Sequence, residues 1–263
     1  MKKKLLFMGM LSVLSVPLIC SQLQRVAKPA EAMFYSDVLH TDRTAYLAKA
    51  QKLNIEIADE GAVLLKNQDG ALPLANKAAK ISIFGKNSDS NKLQMGGGGS
   101  GSGSVSQGVT KIDMQKSLQD AGFSVNPNLI SFYSNSSKSG NGSTNGNSGW
   151  KGISEATVGE TPVSSYDNAL RASFSEYNDA AVMVIARGGT EGADCKTYDA
   201  RDNKNDPISE KHYLELSKNE NDLLDMIEEN FDTVIVVINS GNAFECARLE
   251  NDDKVSAVIW MST

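Results

Sequence analysis

The sequence is poor in the residues on which metal and nucleophile chemistry most often depends. It has three cysteines and two histidines in 263 residues. His40 and His212 stand far apart, and no CxxC, HExxH or Cys/His cluster occurs. A zinc site and a Ser-His-Asp triad are therefore unsupported, and no metal or cofactor is implied. Cysteine is also too sparse for a disulfide framework. With Cys20 set aside in the N-terminal segment, Cys195 and Cys246 remain, enough for one disulfide or two buried thiols. No basic stripe runs along the chain and the net charge is −6, so nucleic acid is not an expected partner.

Long apolar runs are scarce too. Leu5–Ile19 follows Lys2, Lys3 and Lys4, and is interrupted by Gly9, Ser12, Ser15 and Pro17. It is shorter than the ~20 residues of a spanning helix and has the form of an export signal. An A-x-A cleavage pattern stands at Ala30-Glu31-Ala32. Cys20 suggests a lipid anchor, but Ile19 precedes it where a small residue is expected. Residues 1–32 are therefore expected to be a signal peptide or N-terminal anchor. The protein is expected to be secreted or extracytoplasmic, with any membrane tether confined to that segment.

What remains has the 40% apolar and 22% charged content of a globular protein. Residues 33–78 read as a helical lead-in and connecting segment. Over Asp42–Ala58, Tyr46, Ala50, Leu53 and Ile57 recur three or four apart and make one apolar helix face. A short apolar run, Ala62–Leu65, follows, then a turn at Asp69-Gly70 and an extended stretch around Pro73.

From Lys80 the chain alternates. Lys80–Phe84 reads as a strand and Asp113–Ala121 as a helix stopped by Gly122. Phe123–Val125 reads as a short strand, Tyr166–Tyr177 as a helix and Ala181–Ala186 as a strand. Ser217–Phe231 is the best-marked helix, with a Ser217/Glu220 capping box and a stripe of Leu223, Leu224, Ile227 and Phe231. Thr233–Ile238 and Ser256–Met261 are further strands. Continuous apolar strands between helices predict an α/β fold over residues 79–263, a mostly parallel sheet sandwiched between helices. The last strand has no helix after it, so the sheet is expected to be incomplete at the C-terminus, with an open edge at Val258–Met261.

The stretch Arg187–Cys195, RGGTEGADC, leaves the Ala181–Ala186 strand through a glycine pair and carries Glu191 on a turn. Open α/β sheets bind ligands in loops after the carboxyl ends of their strands, so Glu191 is a candidate acid or base. The structural alternative is a solvated glutamate in a surface turn. Gly96–Gly103 is a second candidate loop, but it opens no helix and about a dozen residues separate it from its strand, against the dinucleotide pattern. No Lys-Ser/Thr follows it as a P-loop requires. Ser134–Gly149, rich in Ser, Asn and Gly, reads as a mobile segment.

Ile57–Leu74, IADEGAVLLKNQDGALPL, resembles the entry to the α/β sandwich domain of glycoside hydrolase family 3, the β-glucosidase and β-xylosidase family. Its EG-x-VLLKN-x-x-x-x-LPL run is met by Glu60, Gly61, Val63, Leu64, Leu65, Lys66, Asn67, Leu72, Pro73 and Leu74. KISIFGKNSD (Lys80–Asp89) resembles the family's first sandwich strand and its G-x-N-x-D turn, and Gly96–Gly103 its GGGSG segment. RGGTEGADC resembles its R-x-x-GEG-x-D loop. Lys211–Leu224 and Val234–Glu245 resemble the helix and strand that follow, so the likeness spans Asp42–Thr263.

The resemblance implies a glycosidase acting on oligosaccharides or aryl glycosides, in which the Glu of the GEG loop is the general acid/base. Glu191 is the matching residue; Thr190 and Cys195 replace a frequent Gly and Arg without removing the carboxylate. Arg187 and Asp194 are read as orienting Glu191 or binding sugar hydroxyls, with a loop-shaping salt bridge as the alternative. Glu60 is read as structural. The family's nucleophile is an Asp on a separate (β/α)8 barrel of ~250 residues, for which these 263 residues have no room. The order resembles permuted members in which the sandwich precedes the barrel, and the chain alone is expected to be inactive. A non-catalytic exported module that binds sugar or a partner is the alternative.

Overall fold

A computed structural model describes residues 43–89, 114–142, 152–153, 156–188, 193–195 and 212–261. Residues 1–32, expected to be a signal peptide or N-terminal anchor, the Gly96–Gly103 segment and Glu191 lie outside the described residues. Among those described, no helix is long and apolar enough to cross a membrane.

Four parallel strands carry the fold: β2 (Lys80–Phe84), β5 (Ala180–Arg187), β7 (Val234–Ser240) and β8 (Val255–Met261). With β1 (Val63–Asn67) and β3 (Ser124–Val125) they form a six-stranded sheet in the order β1-β8-β7-β5-β2-β3. Every residue of β5 and β7 is buried, because helices cover both faces. Side chains alternate between the two faces, so Ala181, Met183 and Ile185 enter one core while Ala180, Val182 and Val184 enter the other. The first core is aromatic: Phe84 meets Phe174 and Phe231 edge-on, with ring centroids 5.2 and 5.4 Å apart.

The expected helices are found with three differences. α1 (Arg43–Gly61), α2 (Met114–Asp120) and, after others, α6 (Lys218–Glu228) stand where periodicity placed them, and α6 has the complete capping box. The region expected as one helix over Tyr166–Tyr177 is a short α-helix, α5 (Asn168–Ala172), continued by a 3-10 turn at Ser173–Glu176. A helix not anticipated, α3 (Pro127–Ser134), follows β3; Asn126 caps it and Pro127 occupies its first turn. Part of the stretch read as mobile is ordered, as α4 (Ser136–Ser139) capped by Asn135. Two-residue β4 (Gly152–Ile153) pairs in parallel with β6 (Ala193–Asp194), and α7 (Ala247–Asn251) precedes β8.

The edge expected to be open at Val258–Met261 is closed. β1, which lies in the stretch read as a connecting segment, pairs antiparallel with β8, Val63 opposite Trp260 and Asn67 opposite Ala257. Two residues of the VLLKN run explain how it is held. Lys66 Nζ donates to the carbonyls of Leu249 and Glu250 at 3.3 and 3.2 Å, and also to that of Asp252, satisfying acceptors at the end of α7. Asn67 brackets the next turn, accepting from Leu72 N at 2.9 Å and donating to Leu72 O at 3.0 Å. The apolar stripe of α1 is not covered by the described residues: Leu47, Leu53 and Ile57 are about half exposed.

Gly85 ends β2 at φ +94°, and a Cβ there would lie 2.5 Å from the Val184 carbonyl oxygen on β5. Left-handed strain and a backbone clash add, so Gly85→Ala should cost about 2–5 kcal/mol. A fall in the urea midpoint at unchanged slope would register it; an unshifted midpoint would contradict the packing at this strand end.

Candidate functional site

The connections leaving β2 and β5 diverge. From β2 the chain passes to β3 on one side, and from β5 to β7 on the other, while β2 and β5 are neighbours. This is the point in an open parallel sheet where a crevice forms outside the carboxyl ends of the strands. Two described segments stand there: the Lys86–Asp89 turn after β2, and Arg187 with Gly188 at the end of β5.

Arg187 is the last residue of β5 and its side chain is fully buried. Its Nη1 and Nη2 form a two-pronged ion pair with Glu220 Oε1 and Oε2, at 2.7 and 2.6 Å. Nη1 also donates to Ala186 O at 3.0 Å, Nη2 to Glu215 O at 2.7 Å, and Nε to Tyr213 O at 2.7 Å. A guanidinium has five N–H donors, and here all five have acceptors within the protein. Arg187 thus takes part in a buried salt bridge whose partner among the described residues stands on α6. The rings of Tyr213 and Phe244 lie 5.7 and 4.8 Å from the guanidinium carbon and complete its enclosure.

Glu220 serves two ends at once. Its Oε2 accepts from Ser217 N at 2.9 Å while its own N–H donates to Ser217 Oγ at 3.2 Å, so the α6 capping box and the Arg187 pair share one carboxylate. The next residue out from Arg187 is gripped as well. Gly188 O accepts from Tyr213 Oη at 2.7 Å and from Asn242 Nδ2 at 3.2 Å, the latter from the segment after β7.

A second buried cluster sits at the end of β2. Lys86 Nζ donates to Tyr133 O and to Ser139 Oγ, the latter at 3.1 Å, and pairs with Asp89 at 3.4 Å. The backbone N–H groups of Lys86 and Thr161 both donate to Glu160 Oε1, at 2.9 and 2.7 Å. Tyr133 Oη accepts from Gly85 N at 2.8 Å and makes a short contact with Tyr166 Oη. Burial is the main cause that raises both phenols well above 10.0, and the Glu160 charge raises both further. Helix α6 links the two clusters, since Asn219 Nδ2 donates to Glu160 O at 3.1 Å beside Glu220.

Asp194 lies in β6, opposite Ile153 of β4, with Ala193 opposite Gly152. Ala156, Val158 and Tyr213 form a small separate core there, with half-buried Cys195 against it. Cys195 and Cys246 are both free thiols, and burial raises the Cys246 pKa. A cavity of about 80 Å³ lies by Ser88, Asp89 and Tyr133, below the ~300–1,000 Å³ usual for ligand sites. Reading the sequence missed Glu160, Tyr133, Tyr166, Tyr213 and Asn242. The Asn126-Pro127 cap signal could have revealed the helix that carries Tyr133.

The family model described as "Glycosyl hydrolase family 3 C-terminal domain" matches residues 62–263. Beta-glucosidase A of Butyrivibrio fibrisolvens is 28% identical over 228 residues, covering 83% of this chain and 26% of that protein. Beta-glucosidase 3B from Thermotoga neapolitana, solved in complex with alpha-D-glucose, superposes with a TM-score of 0.55 at 22% identity, over 85% of this chain and 28% of that one. A beta-glucosidase from Paenibacillus barengoltzii gives 0.54 at 22%, over 76% and 20%. These likenesses establish the fold, and the chain spans about a quarter of the length of the curated relative.

Two stability experiments test the clusters. Glu220→Ala strands a buried guanidinium and should cost about 3–5 kcal/mol in urea unfolding, whereas Arg187→Met with Glu220→Leu should recover most of the loss. A small effect of the single variant would mean that water reaches Arg187. The raised phenols stay protonated to higher pH in the folded chain than in the unfolded one. Their contribution to stability is complete below pH 10.0 and is lost as pH climbs through the folded values. Tyr166→Phe should flatten the alkaline fall in the urea midpoint, and an equally steep fall in that variant would refute this.

Proposed function

This chain belongs to glycosyl hydrolase family 3, and from that premise we propose that it is the sandwich portion of a β-glucosidase-like enzyme. Glu191 is its acid/base. The nucleophilic carboxylate comes from a (β/α)8 barrel outside these 263 residues, and the substrate is an oligosaccharide or aryl glycoside. The same proposal reads residues 1–32 as a signal peptide or N-terminal anchor that takes the protein out of the cytoplasm.

The observation that carries this reading is topological. The stretch bearing Glu191 leaves the carboxyl end of β5 at the point where the connections from β2 and β5 diverge. In open parallel sheets that end of the strands is where ligands bind. In the first step the Glu191 carboxyl gives its proton to the glycosidic oxygen as the bond to the anomeric carbon breaks. A carboxylate of the barrel forms a bond to that carbon from the opposite face. In the second step ionised Glu191 takes a proton from water, the water oxygen bonds to the anomeric carbon, and the barrel carboxylate leaves. Such retaining chemistry needs the two carboxyl groups ~5–5.5 Å apart, one from each domain.

A general acid must hold its proton at working pH, which a free cation nearby would oppose. Arg187 lies four positions before Glu191, and its charge is already matched by Glu220. Asp194 is proposed to contact sugar hydroxyls or orient Glu191 from the end of β6.

In the chain expressed with its remaining coding sequence, Glu191→Ala should lower kcat on aryl β-glucosides by about 10²–10⁴-fold. The loss should be smallest for the best leaving groups, which need no proton. Full activity in Glu191→Ala would remove the residue from the mechanism and leave family membership intact.

A further inference from the structure

A cleft of about 470 Å³ lies on the helix-covered flank of the sheet, between α3 and α4 on one side and α5 on the other. It falls within the ~300–1,000 Å³ usual for small-molecule sites. Its walls come from residues 128–138 and 165–170. Phe132 and Leu170, both buried, close its inner side with carbon. Around them stand the exposed side chains of Asn128, Asn135, Lys138 and Asp167.

Two of these polar side chains are held in place by one atom and keep another in reserve. Asn135 caps α4, its Oδ1 accepting from Ser137 N at 3.1 Å, while its Nδ2 has no partner among the described residues. Asp167 caps α5, its Oδ1 accepting from Leu170 N at 2.8 Å, while its Oδ2 has no partner among the described residues. A cap bond fixes the side chain that makes it. One donor and one acceptor are therefore set before a ligand arrives, which lowers the ordering cost of binding. Arg171 steadies the α5 side, donating to Tyr166 O at 2.9 Å and Val163 O at 2.8 Å and so pinning the chain that leads into Asp167.

The charges of the cleft narrow the ligand class. Lys138 and Asp167 line the same space, yet neither forms an ion pair with the other or with any other described residue. Elsewhere on the helices such charges are matched, Lys116 with Asp120 at 2.7 Å and Lys218 with Asp222 at 2.5 Å. An anion in the cleft would meet Asp167, and a cation would meet Lys138. A neutral ligand rich in hydroxyls satisfies both, because each hydroxyl donates and accepts. The carbon on the inner side adds a place for the C–H face of a sugar ring.

We propose that the cleft between α3 and α5 is a binding site for a neutral saccharide. Asn135 Nδ2 and Lys138 Nζ donate to its hydroxyl oxygens, Asp167 Oδ2 accepts from a hydroxyl, and the Asn128 carboxamide does either. The site is built from described helices alone and does not depend on the reading of Glu191. A free monosaccharide and a longer glycan offer the same chemistry, and the test separates them.

Hydrogen exchange read by mass spectrometry in the full-length protein, with glucose, a β-linked glucotetraose, sorbitol and inorganic phosphate added separately, makes that test. Peptides over residues 127–139 and 163–172 should gain protection from saccharide, saturating in the millimolar range. Protection by the tetraose alone identifies a glycan chain as the ligand, and equal protection by glucose identifies the free sugar. Asp167→Asn and Asn135→Asp keep their helix caps, since both residues cap well, but reverse the hydrogen-bonding sense of the reserved atom. Each should weaken saccharide binding about 10-fold. Ala169→Trp, which fills the cleft from an exposed position on α5, should abolish it. Should Ala169→Trp fail to fold, the two cap-preserving variants decide. No protection of these peptides, equal protection by sorbitol, protection by phosphate in place of saccharide, or saccharide protection unchanged in the variants would overturn the site. The activity of Glu191→Ala has no bearing on these readings, so failure of this site and failure of the acid/base reading are told apart.

Discussion

The buried pair of Arg187 and Glu220 is the constraint from which the functional end of the sheet is organised. It joins the last residue of a central strand to the first turn of the helix that follows it in the chain. Buried ion pairs seldom add much net stability, because desolvating two charges offsets most of their attraction. What they add is geometry. A guanidinium with all five donors engaged cannot rotate without losing several bonds together. Strand end, helix start and the 213–215 segment are thereby fixed relative to one another.

The cluster at the end of β2 repeats this logic with different groups. There a buried carboxylate, Glu160, collects backbone N–H groups, and a buried ammonium, Lys86, collects oxygens. Asn219 and Glu220 are neighbours on α6, and each serves one of the two clusters. One helix turn therefore sets the spacing between the two strand ends that flank the crevice.

Much of this was legible in the sequence, for identifiable reasons. β5 and β7 announced themselves because strands buried on both faces read as unbroken apolar runs over Ala181–Ala186 and Val234–Ile238, and α6 because its capping box and apolar stripe agree. The role of β1 was not legible. Ala62–Leu65 is too short for periodicity to separate strand from connection, and its pairing with β8 depends on residues far along the chain. The pair of Arg187 with Glu220 was likewise hidden, since the capping box already accounted for Glu220. Tyr213 and Asn242 stand in irregular segments, where no repeat signals that a side chain points inward. Distance in sequence, more than weakness of pattern, limited what could be read.

The antiparallel edge has a consequence for how the chain reaches this structure. Lys66 bonds to the Leu249 carbonyl across 183 residues, and among the described residues β1 has no neighbour in the sheet except β8. On a ribosome moving at ~5–20 residues per second, β1 waits about 10–40 s for its partner strand. During that interval Val63, Leu65 and the strand's unpaired backbone are open to other chains. The parallel centre can assemble first, since β2, β5 and β7 need nothing from β8 to pair. Closure of the edge is then the late event in biogenesis, and chaperone demand should concentrate on the segment made earliest.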